Sequence, residues 1–276
     1  MADYCQRLVI KNSLFFITIT WRGIMNKILN IMLSMTIGIV CLTGCMPAGT
    51  QPPGEVNLVQ LQPPEEGQEM AIMTTNMGVI KFVLYEDYAP NTVAHFKKLV
   101  QEGFYNNNPI FSVQKEVSSM LAGATDDVGN EGKVVTEDGE KIKPETSKDV
   151  WHFSGAVSAI GDEEGIFAKT IMSDSRFFIV GNREADTEIL EQLEENNYPE
   201  KVISAYKELG GMPVYTGRFT VFGQVVEGLD IVDNIINQET KKTDEGQDTG
   251  IPAKELIIES IELSAYSFDD STDGAE

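Results

Sequence analysis

Cys5, Cys41 and Cys45 are the only cysteines among 276 residues, so everything beyond position 45 must fold without a disulfide. Burial of apolar surface is then the main force available to hold that part of the chain together. Apolar patterning begins near Met70 and continues to Leu263, roughly 200 residues and one domain's worth. His95 and His152 are the only histidines. No spacing supports a histidine metal site or a Ser-His-acid triad, and no metal or other cofactor is expected.

The N-terminal region has a different character. After Asn26-Lys27 an apolar run extends from Ile28 to Leu42 and closes on Leu42-Thr43-Gly44-Cys45. A short cationic start, an apolar core and a small-residue cleavage site make a secretory signal, and the core is too short to span a bilayer comfortably. The closing word resembles a bacterial lipobox, which implies cleavage before Cys45 and lipid on its thiol. Met25-Asn26-Lys27 reads as a natural start, and Leu14 to Thr20 is a second apolar patch with no cleavage motif. Residues 1–44 are read as a leader with the signal at 25–44, and 45–69, rich in Pro, Gly, Gln and Glu, as a disordered tether. Residues 70–266 form the domain and 267–276 a disordered acidic tail. The expected location is the extracytoplasmic face of the cell membrane of a Gram-positive bacterium, anchored through Cys45.

Charge limits the partners. The chain has 21 basic and 43 acidic residues; removing Asp3, Arg7, Lys11, Arg22 and Lys27 with the leader leaves 17 against 42, a net −25. Such a surface argues against nucleic acid and against charge-driven binding to anionic lipid. Attachment to a membrane must come from lipid, and stable anchoring needs more than one acyl chain. The expected form is a monomer.

Within the domain, Met70 to Thr75 and Val79 to Tyr85 flank Asn76-Met77-Gly78 as a hairpin. Pro90 opens a helix with Val93, Phe96, Leu99 and Val100 on one face. His95 beside that face reads as a surface or boundary residue. Ile110 to Val113, Val117 to Leu121, Ala156 to Ile160, Phe177 to Val180, Thr220 to Val226 and Leu256 to Leu263 read as strands, and Leu229 to Ile236 as a helix. Residues 123–144 read as a long loop or weak hairpin. Glu184 to Asn196 and Pro199 to Leu209 read as a helical pair, the first capped by Asp186 or Thr187. The acidic runs Asp162-Glu163-Glu164 and Glu191 to Glu195 read as solvated faces. Many short strands with a helix near each end suggest a closed antiparallel barrel.

Several words in order strengthen that reading. Thr75 to Ile80, Ala89-Pro90-Asn91-Thr92-Val93, Gly103-Phe104-Tyr105, Gly155-Ala156-Val157-Ser158, Ser175-Arg176-Phe177-Phe178-Ile179 and Gly217 to Asp230 resemble the cyclophilins, the barrel-shaped peptidyl-prolyl isomerases. The resemblance implies a mainly β fold: a closed eight-stranded antiparallel β-barrel capped by two helices, with an extra helical insertion at 184–211. It implies an isomerase that acts on proline-containing polypeptides and assists the folding of exported proteins. A non-catalytic proline-peptide binding module is the alternative.

The resemblance also marks departures. Prolyl isomerisation is slow because amide resonance must be broken. It needs an apolar trough for the proline and a donor aimed at its nitrogen as the bond twists. In cyclophilins that donor is an arginine, and here its slot falls on Val113 or Gln114, according to how the one extra residue is counted. The holding glutamine becomes Ala122 and the trough phenylalanine Ser119. Arg176 is the candidate substitute donor. Met120, Phe178, Tyr215 and Phe219 are expected to line the trough together, and turnover is expected to be reduced.

Overall fold

Phe82, Phe96, Tyr105, Phe177 and Phe222 meet at the centre of the domain, with Phe96 in ring contact with each of the other four at 5.3–6.2 Å. The structure is a computed structural model that describes residues 55–164 and 170–268. The leader, Cys45 and the tail from 269 lie outside the described residues.

Eight strands surround that aromatic centre: β1 (Glu69–Thr75), β2 (Gly78–Leu84), β3 (Asn108–Gln114), β4 (Ser119–Ala122), β5 (Ala156–Glu164), β6 (Thr170–Val180), β7 (Thr220–Glu227) and β10 (Ile257–Ala265). They close in the order β1-β10-β3-β4-β6-β5-β7-β2, every pairing antiparallel. This is the expected eight-stranded barrel, and closure leaves no long unpaired edge. Two short strands, β8 (Thr240–Lys242) and β9 (Asp248–Pro252), form a separate hairpin that periodicity does not reveal.

Helices α1 (Pro90–Gln101) and α4 (Leu229–Ile236) bury Val93, Phe96, Leu99, Val232, Ile235 and Ile236 in the same core as the strands. Pro90 stands at the first turn of α1, where its missing N–H costs nothing. The other free donors there are met from afar. Both oxygens of Glu145 accept hydrogen bonds, from Asn91 N, Asn91 Nδ2, Thr92 N and Thr92 Oγ1, at 2.7–3.0 Å. A carboxylate at a helix N-terminus also suits the helix dipole. His95 is buried rather than peripheral, and its Nε2 accepts from Val135 N at 3.1 Å. Burial pushes its pKa down, outweighing the opposing field of Asp174.

The insertion forms α2 (Thr187–Glu195) and α3 (Glu200–Leu209). Asp186 caps α2, accepting from Glu188 N at 2.9 Å. Leu190, Leu193, Val202 and Tyr206 pack with Trp151 and Phe153 into a second apolar cluster.

That cluster corrects the expectation of a disordered tether over 45–69. Val56 and Leu58 are part of it, 4% and 2% exposed. Gln60 binds both sides of the Trp151 backbone, donating to its carbonyl at 2.8 Å and accepting its N–H at 2.6 Å. Proline and glutamine content predicts a free chain here, but two apolar side chains and one amide are enough to dock the segment. Residues 45–54 lie outside the described residues.

Candidate active site

The pleat assigns the faces. Along β4, Met120 opposes Ile179, Leu121 opposes Phe178 and Ala122 opposes Phe177. Met120, Ala122, Phe177 and Ile179 all belong to the barrel core. Side chains alternate across a strand, so Ser119, Leu121, Phe178 and Val180 face outward.

Phe178 is therefore on the outside of the barrel, yet it is only 3% exposed. Three rings cover it. Tyr215 and Phe219 stand edge-on at 5.3 and 5.2 Å, and their own rings are 5.3 Å apart. His152 lies nearly parallel to Phe178, 10° between planes and 6.1 Å between centroids. Tyr215 ends the 3₁₀ turn Pro213–Tyr215 and Phe219 directly precedes β7. Residues more than sixty positions apart thus build one aromatic patch. Burial pushes the Tyr215 phenol up to about 12, although its hydrogen bond to Ser119 and the fields of Arg218 and Arg183 act the other way. Tyr215 therefore reaches across to Ser119, the position where the family word has a phenylalanine.

Met120, expected in this patch, is not there. It is wholly buried in the barrel core, on the opposite side of β4 from Ser119. Being next to Ser119 in sequence puts it on the other face.

The same alternation separates the two candidates for the arginine slot. Val113 opposes Met120, is 1% exposed and packs in the core. Gln114 opposes Ser119 on the outer face. The structure thus brings Gln114 to the edge of the patch and removes Val113 from it. Ala122 lies inside, opposite Phe177.

Arg176, the candidate substitute donor, is committed elsewhere. It is 5% exposed. Its Nε and one terminal nitrogen hold Asp174 at 2.9 and 2.6 Å, and that terminal nitrogen also reaches Asp162 at 2.8 Å. The other terminal nitrogen donates to the carbonyls of Gly129 and Asn130. Burial works against its charge, but the hydrogen bonds and fields of Asp174 and Asp162 outweigh that and raise its pKa. Paired, chelated and tied to a loop, this guanidinium staples the 129–130 turn to β6.

Among the described residues the other arginines are Arg183 and Arg218. Arg218 lies over the Phe219 ring at 5.8 Å and 3.6 Å from Glu163. Arg183 donates to the Glu116 carbonyl in the turn between β3 and β4. Both cations stand on the rim of the patch. Among the described residues no group of three His, Cys, Asp or Glu side chains is placed to hold a metal ion.

Sequence reasoning missed His152. It is 2% exposed and held between two anchored neighbours. Trp151 and Phe153 are buried in the insertion cluster. Met212 N donates to the His152 carbonyl at 2.8 Å. Gly211, with φ +120°, passes so close that a side chain there would meet that carbonyl at 2.3 Å. The available signal was the alternation Trp151-His152-Phe153, two aromatics flanking a polar residue just before Gly155-Ala156-Val157-Ser158.

Residues 70–263 match the family described as cyclophilin type peptidyl-prolyl cis-trans isomerase/CLD. A Staphylococcus saprophyticus protein provisionally named peptidyl-prolyl cis-trans isomerase is 32% identical over 208 residues, covering 75% of this chain and 98% of that protein. A Staphylococcus epidermidis protein of the same provisional name is 29% identical, over 72% and 93% of the two chains. The fold is similar to that of a Cryptosporidium parvum cyclophilin type peptidyl-prolyl cis-trans isomerase, with TM-score 0.54 at 18% identity over 72% of this chain and 99% of that one. A barrel of this order and relatives matched along almost their whole length lead to one conclusion: the chain belongs to the cyclophilin-type peptidyl-prolyl cis-trans isomerase family.

Proposed function

We propose that this chain is a lipid-anchored, extracytoplasmic prolyl isomerase of low turnover that binds proline-containing segments of exported proteins at the patch of Phe178, Tyr215 and Phe219. The observation that carries the low turnover is the placement of Gln114. The outward slot beside the aromatic patch holds a neutral amide, while Val113 and Ala122 are in the core. An apolar patch can hold a proline ring, but a neutral donor stabilises the twisted amide less than a cation in a dry site. The fold-level likeness to a cyclophilin solved in the presence of the dipeptide Ala-Pro supports proline as the ligand.

A protease-coupled assay on residues 55–268 with an Ala-Pro peptide tests this. A small but measurable acceleration is expected. The second reading, a binding module without turnover, rests on the same missing cation. It predicts peptide binding with no acceleration.

The anchoring is carried by Leu42-Thr43-Gly44-Cys45. Mass spectrometry of the membrane fraction is expected to find a diacylated N-terminal Cys45. A chain recovered with an unmodified Cys45 overturns it.

A further inference from the structure

The chain is strongly acidic, with a formal net charge of −22, and many of its cations are spent on its own carboxylates. Lys81, Lys97, Lys133, Lys141, Arg176 and Lys207 each hold one at 2.6–2.8 Å. The two arginines on the rim of the aromatic patch depart from this pattern. Arg183 has no carboxylate partner among the described residues; its guanidinium donates to the Glu116 carbonyl and keeps its other N–H groups unspent. Arg218 has Glu163 at 3.6 Å, beyond hydrogen-bonding reach, and its side chain is 48% exposed.

Both arginines are held in place by their backbones. The Arg183 N–H donates to Ser154 Oγ at 3.4 Å, and its carbonyl accepts from Gly211 N at 2.8 Å. Gly210 passes so close that a side chain there would meet the same carbonyl at 1.9 Å. The two ends of the helical insertion are thereby stapled together at Arg183. Arg218 N donates to the Tyr215 carbonyl at 3.1 Å, and its guanidinium lies over the Phe219 ring. Tyr215 connects the two sites. It reaches Ser119, whose hydroxyl donates to the Val117 carbonyl at 3.0 Å, in the same turn that Arg183 binds. One arginine therefore flanks the patch at the β3–β4 turn and the other at Phe219. The charged groups whose fields act on the Tyr215 hydroxyl are these two arginines.

The histidine beneath the patch is sealed, with no partner for either ring nitrogen, so a bound chain meets the polar groups of the rim instead. A guanidinium is a flat fork of N–H donors that matches a carboxylate. We infer that Arg183 and Arg218 select clients with an acidic side chain, Asp or Glu, flanking the proline, the carboxylate binding at the rim while the proline ring lies against Phe178. An extended chain crossing the patch has a residue on each side of the proline, so each arginine serves one flank. The charge of the whole chain acts the other way, but at physiological ionic strength it is screened beyond about 8 Å, whereas a contact at the rim is not. The inference rests on the isomerase reading, since it places the acidic residue on a chain whose proline lies against Phe178. It also gives the helical insertion a task, the placement of Arg183.

The test uses the full chain with labelled phenylalanines, titrated by NMR with amidated peptides of one length built on Ala-Pro. The residue before Ala, or the residue after Pro, is Asp, Asn or Lys. Asp is expected to bind about five-fold more tightly than Asn at one flank or both, the upper range for a partly exposed ion pair, and Lys more weakly than Asn. The difference is expected to vanish near 1 M salt, where charges are screened beyond about 3 Å. Arg183→Gln and Arg218→Gln are each expected to lose the preference at the flank that arginine serves, and the double variant to bind Asp and Asn peptides alike. Arg183→Lys, which keeps the charge without the fork, is expected to retain a weaker preference and so separates lost charge from lost folding. Lys207→Gln removes the same charge from the insertion and is expected to leave the preference intact. Equal binding of Asp and Asn peptides by the unaltered chain, with the Phe178 signals moving, overturns the selection and leaves the isomerase reading standing. A preference for Lys does the same, because it assigns the choice to the acidic surface as a whole. So does an Asp preference that survives in the double variant. If no proline peptide moves Phe178, the isomerase reading falls and the selection with it.

Discussion

Gln114→Arg is expected to raise the prolyl isomerisation rate by about 10²–10³-fold, the usual worth of one preorganised donor in a sheltered site. Gln114 sits opposite Ser119 on the outer face of the barrel, beside the ring of Tyr215 that reaches Ser119. A guanidinium there lies at the edge of the aromatic patch, where an amide nitrogen develops its lone pair as the prolyl bond twists. The acidic surface favours an added cation. Val113→Arg is the internal control, because Val113 is 1% exposed in the core. A charge at that position has no partner and disrupts the fold instead of assisting catalysis. The assay is the protease-coupled one, run on both variants with folding checked by circular dichroism. A folded Gln114→Arg protein no faster than wild type sinks the assignment of the slot.

Acid is expected to destabilise the domain through His152. Burial alone drives its pKa from 6.5 to about 3. The folded state therefore keeps the imidazole neutral while the unfolded chain takes up a proton below pH 6.5. The unfolded state binds more protons across this window, so stability falls as pH falls from 6.5 toward 3 and levels off below it. The slope approaches about 1.4 kcal/mol per pH unit, or about 2 kcal/mol lost by pH 5. The rings facing His152, those of Phe178, Tyr215 and Phe219, carry no charge in this range and do not offset the effect. Urea unfolding of wild type and His152→Phe between pH 4 and 8 isolates the contribution, because His95 and every carboxylate are common to both. A difference between the two proteins that does not change with pH rejects it.

The two predictions rest on residues that were unequally visible beforehand. The aromatic words around Phe178 and Phe219 are local, and each was readable where it stood. Their meeting was foreseeable only through resemblance. His152 gave almost no signal, because an isolated histidine between two aromatics is equally at home on a surface strand. What makes it notable is the absence of partners for its nitrogens, and partners are contributed by distant segments. Arg176 illustrates the opposite error. Beside Phe177-Phe178 it reads as a cation near the patch, but Asp174, Asp162 and two loop carbonyls consume its donors. The docked segment around Val56, Leu58 and Gln60 was hidden by its composition, since proline and glutamine predominate over the two side chains that anchor it.

By itself the sequence determined the class of fold, the pair of helices that share the barrel core, the helical insertion and the replacement of the family's arginine and glutamine. Those follow from turn residues, apolar spacing and the order of short words, all of which are local. Only the tertiary structure decided that Gln114 and not Val113 faces the patch, that Met120 is in the core, that Arg176 is tied down and that His152 lies beneath Phe219. The physical reason is the two-residue period of a strand: one extra residue before Ser119 leaves the alternation of faces unresolved until the pairing of β3 with β4 and β4 with β6 is known.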